Sequence, residues 1–165
     1  VRWLFKADTE PMMALHAALG VCGEVGELVE ADVSLTAKDV IEEVGDLEFY
    51  LQAVRNHYGL VRNSVTDYGQ RIMPVTRSTQ NLVIQAGVLA DCIKREYIYG
   101  KPRDVESIAQ VLAQIDFTLQ YFRPVTRIEI LQANANKLSK RYSSLRYSDA
   151  SAIQRADKAA PDNPN

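Results

Sequence analysis

The chain has 165 residues, 47% of them apolar and 24% charged, with a formal net charge of −2. That suffices for one domain with a real core, and the missing basic surplus argues against nucleic acid as the main partner. Cys22 and Cys92 have no CxxC or Cys/His spacing that would indicate zinc, and read as buried free thiols of a reducing compartment. No apolar run approaches the ~18–20 residues of a membrane span, and no charged-then-apolar leader is visible. The expectation is therefore a soluble cytoplasmic protein without a membrane or stable nucleic-acid partner.

Helical periodicity dominates, so the expected fold class is all-α. Thr9 and Pro11 suit a helix start, and the first helix runs to about Val33. Ser34-Leu35-Thr36 breaks it, and Thr36 with Asp39 resembles a capping box for a second helix that ends at Tyr58 before Gly59. Residues 60–76 read as a connection. A third helix spans about Ser78 to Tyr99, stopped by Gly100-Lys101-Pro102, and a fourth spans about Arg103 to Phe122. Beyond Pro124 a fifth covers about Thr126 to Ser143. The sequence thus predicts a domain over 1–147 and a polar tail over 148–165, frayed or disordered at its end.

The first two helices resemble the next two. An offset of 67 places Gly20-Val21 on Gly87-Val88, Ile41 on Ile108, Val44 on Val111 and Tyr50 on Phe117. Residues 60–125 then form an insert that repeats the helix pair. In that alignment Glu24, Glu27, Glu43 and Asp46 fall on Asp91, Lys94, Gln110 and Ala113, so most of the acids are lost.

Those acids are the strongest chemical signal. Glu24 and Glu27 share one helical face, as do Glu43 and Asp46, and like charges at that spacing repel. A hard divalent cation removes the penalty, because carboxylate oxygens are what Mg²⁺ prefers. Two such pairs on antiparallel helices would converge on one site. Gly20, Gly23 and Gly26 recur every third residue and Gly45 separates the second pair, each costing roughly 1 kcal/mol in a helix relative to Ala. Close approach by a facing helix or a ligand is the reason such a pattern requires. On the fifth helix Lys137 and Arg141 lie four apart and share a face that could grip a polyphosphate.

His16-Ala17-Ala18-Leu19-Gly20, Glu24-Val25-Gly26-Glu27-Leu28 and Glu42-Glu43-Val44-Gly45-Asp46-Leu47 together resemble the MazG-type all-α nucleoside triphosphate pyrophosphohydrolases, whose signature is ExxE, a spacer, then ExxD. Asn134 to Tyr142 resembles the Asn-x-x-Lys-Leu-x-x-Arg-Tyr segment of phage-like members, and Gln154-Arg155-Ala156-Asp157 is similar to their closing Asn-Arg-Asp. The resemblance implies a MazG-like helical bundle that hydrolyses (d)NTP to (d)NMP and pyrophosphate. It implies Glu24, Glu27, Glu43 and Asp46 as Mg²⁺ ligands, with Mn²⁺ as a substitute. Lys137 and Arg141 would hold phosphates, with Asn134, Tyr50 and His16 against the nucleotide, and the assembly would be a homo-dimer or tetramer. The insert at 60–125 departs from ordinary members and would supply the helices that a partner subunit gives in simpler ones. A specialised dUTPase-like or dCTPase-like hydrolase and a non-catalytic helical metal-binding or interaction protein are the alternatives. Trp3 could close over a base or cap an exposed apolar edge. Phage-like members tend to act on deoxynucleotides, which favours dNTPs with dGTP ahead. The expected outcome is a larger kcat/KM for dGTP than for dCTP, and equal values would remove the purine preference.

Overall fold

A computed structural model describes residues 9–34, 36–62, 75–122, 125–142, 146 and 148–154. They form helices α1 (Glu10–Ser34), α2 (Ala37–Tyr58), α3 (Val75–Tyr97) and α4 (Val105–Leu119), a 3₁₀ turn Gln120–Phe122, α5 (Arg127–Arg141) and a short α6 (Asp149–Gln154). There is no strand among the described residues, so the fold is all-α. Trp3 and residues 155–157 lie outside the described residues. Gln154 ends α6, a helix inside the stretch expected to be a frayed tail.

Local chemistry sets the ends. The Asp39 carboxylate accepts from the Thr36 N–H at 3.1 Å and from its hydroxyl at 2.8 Å, closing the start of α2 as the sequence predicts. Gly59 takes the left-handed conformation at the other end, φ 65°, which a side chain would resist. Asp104 accepts from the Ser107 N–H at 3.0 Å to cap α4. A second capping box opens α5, where Thr126 and Glu129 satisfy each other's N–H groups.

The core lies between the two helix pairs. From α1 come Ala14, Ala18, Val21, Val25 and Leu28, and from α2 Val44, Leu47, Leu51 and Val54. Leu82, Leu89 and Ile93 of α3 and Ile108, Ile115 and Leu119 of α4 complete one continuous cluster. Each fully buried Val, Leu or Ile side chain contributes about 1.5–3 kcal/mol, and each alanine less. The stretch Glu10–Glu30, mean hydropathy 1.4, is long and apolar enough by composition to cross a membrane, which corrects the reading that no run comes near this length. Its apolar face is buried against α2 and α3.

Burial also shifts the register of the repeat. Ala14, Ala18, Val21 and Val25 correspond to Leu82, Ala86, Leu89 and Ile93, each 68 residues on, while Val44, Leu47 and Leu51 correspond to Ile108, Val111 and Ile115, each 64 on. At the offset of 67, buried Val21 would match exposed Val88 and buried Leu47 would match exposed Gln114. In the corrected register the four acids fall on Cys92, Arg95, Ser107 and Gln110, so none is kept.

The glycines separate into two kinds. A Cβ on Gly20 would overlap the Tyr50 ring, so α1 and α2 can approach there only because position 20 has no side chain. One on Gly45 would come within 3.0 Å of the Asn134 Cβ, so the same holds for α5 on α2. Gly23 and Gly26 meet nothing within 4 Å. Gly20→Ala should therefore destabilise by about 1–3 kcal/mol through overpacking. Gly23→Ala and Gly26→Ala should each stabilise by about 1 kcal/mol through helix propensity. Thermal denaturation of the three variants checks this, and a loss of stability in Gly23→Ala would contradict the open space beside it.

Candidate metal centre

Antiparallel pairing of α1 and α2 fixes which side chains meet. Moving four and then three residues up α1 from Gly20, to Glu24 and Glu27, matches moving four and then three down α2 from Tyr50, to Asp46 and Glu43. The Tyr50–Gly20 contact therefore sets the register that brings the two acidic pairs together. Carboxylate oxygens of Glu24, Glu27 and Glu43 lie within 4.8 Å of one another. Glu24 and Glu43 are half-buried and Glu27 is exposed.

Asp46, the fourth acid of the sequence motif, is engaged from α5. The Asn134 amide donates to its Oδ1 at 2.5 Å, and the Lys137 ammonium pairs with its Oδ2. Lys137 also donates to Glu42 Oε1 at 3.3 Å. The side chain placed on phosphate by the sequence is thus a counter-ion here, bridging two carboxylates one helical turn apart. Arg141, one turn further along α5, lies near enough to Tyr50 to oppose the upward shift of its phenol. The His16 and Tyr50 rings are tilted against each other with centroids 6.0 Å apart.

The electrostatics follow from crowding. Burial, then the charges of Asp46, Glu27 and Glu43, push the Glu24 carboxyl up to about 8, with Lys137 only partly opposing them. Burial and the neighbouring Glu27, Asp46 and Glu42 raise Glu43 as well. Tyr50 is pushed to about 12 by burial and then by Glu24 and Asp46. Burial holds His16 below the usual histidine range, keeping it neutral near pH 7. The chemistry of the donor set fits a hard divalent cation: all oxygen, all carboxylate, and short of positive charge.

Sequence reasoning missed Glu42, whose place one turn before Asp46 was the available signal; it expected a close approach at Gly45 without naming Asn134 as the group admitted there. A groove of about 670 Å³ runs between α1 and α3 on the far side of His16, lined also by Met12, Leu15, Leu19, Gly87 and Asp91. Asp91, the acid the first alignment paired with Glu24, is neutralised by Lys94 at 2.6 Å and Arg95 at 2.8 Å. No protein family, curated protein or solved structure matches the chain.

The raised Glu24 carboxyl has a pH consequence in cation-free protein. Its folded pKa lies above its ordinary value, so the folded state holds this proton more tightly than the unfolded chain does. The resulting stability is complete below about pH 4.5 and is lost as pH rises toward about 8. In chelator the Tm should fall over that window, and Glu24→Gln should flatten the fall. Mg²⁺ should raise Tm more at pH 8 than at pH 6. Superimposable Tm–pH curves for wild type and Glu24→Gln would rule out this origin.

Proposed function

We propose that the protein is a divalent-metal-dependent nucleoside triphosphate pyrophosphohydrolase of the MazG type, acting on (d)NTPs. The observation that supports it most is the convergence of Glu24, Glu27 and Glu43 beside an Asp46 already met by Asn134 and Lys137 from a third helix. Glu24, Glu27 and Glu43 would hold Mg²⁺ or Mn²⁺, with Asp46 joining them as Lys137 transfers to phosphate. When bound, such a cation neutralises phosphate charge and acidifies water.

The chain's own groups divide the remaining work. Lys137 offers a mobile point charge beside Asp46 and Glu42, and Arg141 a planar fork near Tyr50, which would suit them to the β- and γ-phosphates. That anchoring leaves the α-phosphorus nearest the carboxylates. Water oxygen adds to the α-phosphorus and gives up a proton to solvent, the bond from that phosphorus to the α–β bridging oxygen breaks, and pyrophosphate leaves alongside the monophosphate. His16 lies two turns from Glu24, about 12 Å along the helix, a distance that suits a base against a triphosphate. The adjoining groove has the volume and apolar lining of a small-ligand site, and α3 contributes Gly87 and Asp91 to its wall. The insert would then complete the pocket within one chain.

One observation favours a second reading, a metal-binding protein without catalysis: Lys137 is engaged by Glu42 and Asp46. Incubation of the purified protein with each of the eight common nucleoside triphosphates and Mg²⁺, followed by chromatography, separates the two. The expected products are the monophosphate and pyrophosphate. Glu43→Gln and Asp46→Asn should each lower kcat by at least about 10²-fold in folded protein, the scale expected for losing a group that stabilises transition-state charge. Orthophosphate with a diphosphate would refute the anchoring scheme, and metal binding without turnover would favour the second reading.

A further inference from the structure

The helix that brings Asn134 and Lys137 to the acids has little apolar hold on the bundle. All fifteen residues of α5 are described, and Ile130 alone among them is buried. Arg127, Ile130, Asn134 and Lys137 follow one another at three- and four-residue steps, so they form a single face lying antiparallel on α2. At its far end that face meets Asp46 and Glu42; at its near end it meets Glu48.

Glu48 is unusual. Its side chain has no exposure, yet it carries a carboxylate and accepts four charge-assisted hydrogen bonds. Arg127 grips it with both arms of the guanidinium, Nε to Oε1 at 2.9 Å and Nη2 to Oε2 at 3.0 Å. Arg62 donates to both oxygens at 2.8 Å and continues to Asp116 of α4 at 3.2 Å, which Arg55 of α2 meets at 2.7 Å. A bidentate pair fixes direction as well as distance, because the planar fork fits the carboxylate in one orientation. Arg127 is the first residue of α5, so orienting it orients the whole face.

We propose that Glu48 and Arg127 form a clamp that sets the register of α5 on α2, making them positioning residues for Asn134 and Lys137 at the acidic cluster. The reading of Lys137 as a phosphate group, and so the kinetic part of this inference, rests on the function proposed above; the clamp itself does not. Arg127 is the better residue to remove, since its side chain is about one-third exposed and its loss leaves Glu48 still paired with Arg62.

Amide hydrogen exchange by mass spectrometry on wild type, Arg127→Ala, Arg127→Lys and Glu48→Gln reads the clamp without activity. Arg127→Ala should exchange the α5 amides about tenfold faster, the scale of one charge-assisted hydrogen bond, and leave α2 and α4 within about twofold of wild type. Arg127→Lys, which keeps the charge but not the fork, should restore part of the protection. Where hydrolysis is measurable, Arg127→Ala should raise KM for the triphosphate about tenfold more than it lowers kcat. Unchanged α5 exchange overturns the clamp, and so does equal acceleration in α2, which would make the pair a general stabiliser. Glu48→Gln serves the same decision through its α5-to-α2 ratio if Arg127→Ala fails to fold. Selective loosening of α5 in a protein that hydrolyses no nucleotide would leave the clamp standing and remove the proposed function.

Discussion

Repulsion among carboxylates is the constraint from which the rest of this molecule follows. Glu24, Glu27, Glu42, Glu43 and Asp46 are gathered along facing stretches of α1 and α2, and Lys137 meets Glu42 and Asp46 directly. The apolar faces of the same helices hold the charges together: Val21, Val25 and Leu28 on one side, Val44 and Leu47 on the other, all buried. Where burial forces like charges close, a protein can retain a proton, recruit a basic side chain or bind a cation. The upward shift of Glu24 inclines it to the first, Lys137 supplies the second, and the composition of the donor set suits the third.

The second helix pair shows the same scaffold without that constraint. Its in-and-out pattern follows that of the first pair, yet the positions of the four acids hold Cys92, Arg95, Ser107 and Gln110. Asp91, beside Cys92, is neutralised within its own helix by Lys94 and Arg95, and Asp104 is taken up in capping α4. Relieved of crowding, α3 and α4 act as packing for the first pair, and α3 becomes one wall of the groove beside His16.

Periodic apolar spacing and turn residues made the helices legible, because both act over a few residues. Thr36 with Asp39, Gly59 and Gly100 mark ends that the structure places within a few residues of the expected ones. The acidic pairs were legible for a similar reason: residues three apart on a helix share a face wherever the helix goes. The register of the repeat was misjudged, since identity at Gly20/Gly87 and Val44/Val111 outweighed a burial pattern that only packing reveals. Glu48 could not have been placed either. A glutamate in an apolar stretch reads as solvated, and its partners Arg62 and Arg127 are 14 and 79 residues away in sequence. The apolar length of α1 was underestimated for another reason. Glu24 and Glu27 interrupt the run, yet the average over Glu10–Glu30 stays high, so one helix is apolar enough by composition to pass for a span and also carries half the acidic cluster.

The way α5 is attached sets how its hold changes with temperature. Burial of apolar surface gives folding its large heat-capacity change, and with it the curved dome of stability against temperature. A helix that buries only Ile130 and is otherwise held by charge draws little on that term. Hydration of charged groups grows less favourable on warming, so the cost of drying an ion pair falls as temperature rises. The bundle and its fifth helix therefore obey different thermal laws. The four-helix core is most stable at intermediate temperature, between a burial term that weakens on cooling and a conformational entropy that wins on heating, while the arm that reaches the acids is held most loosely in the cold.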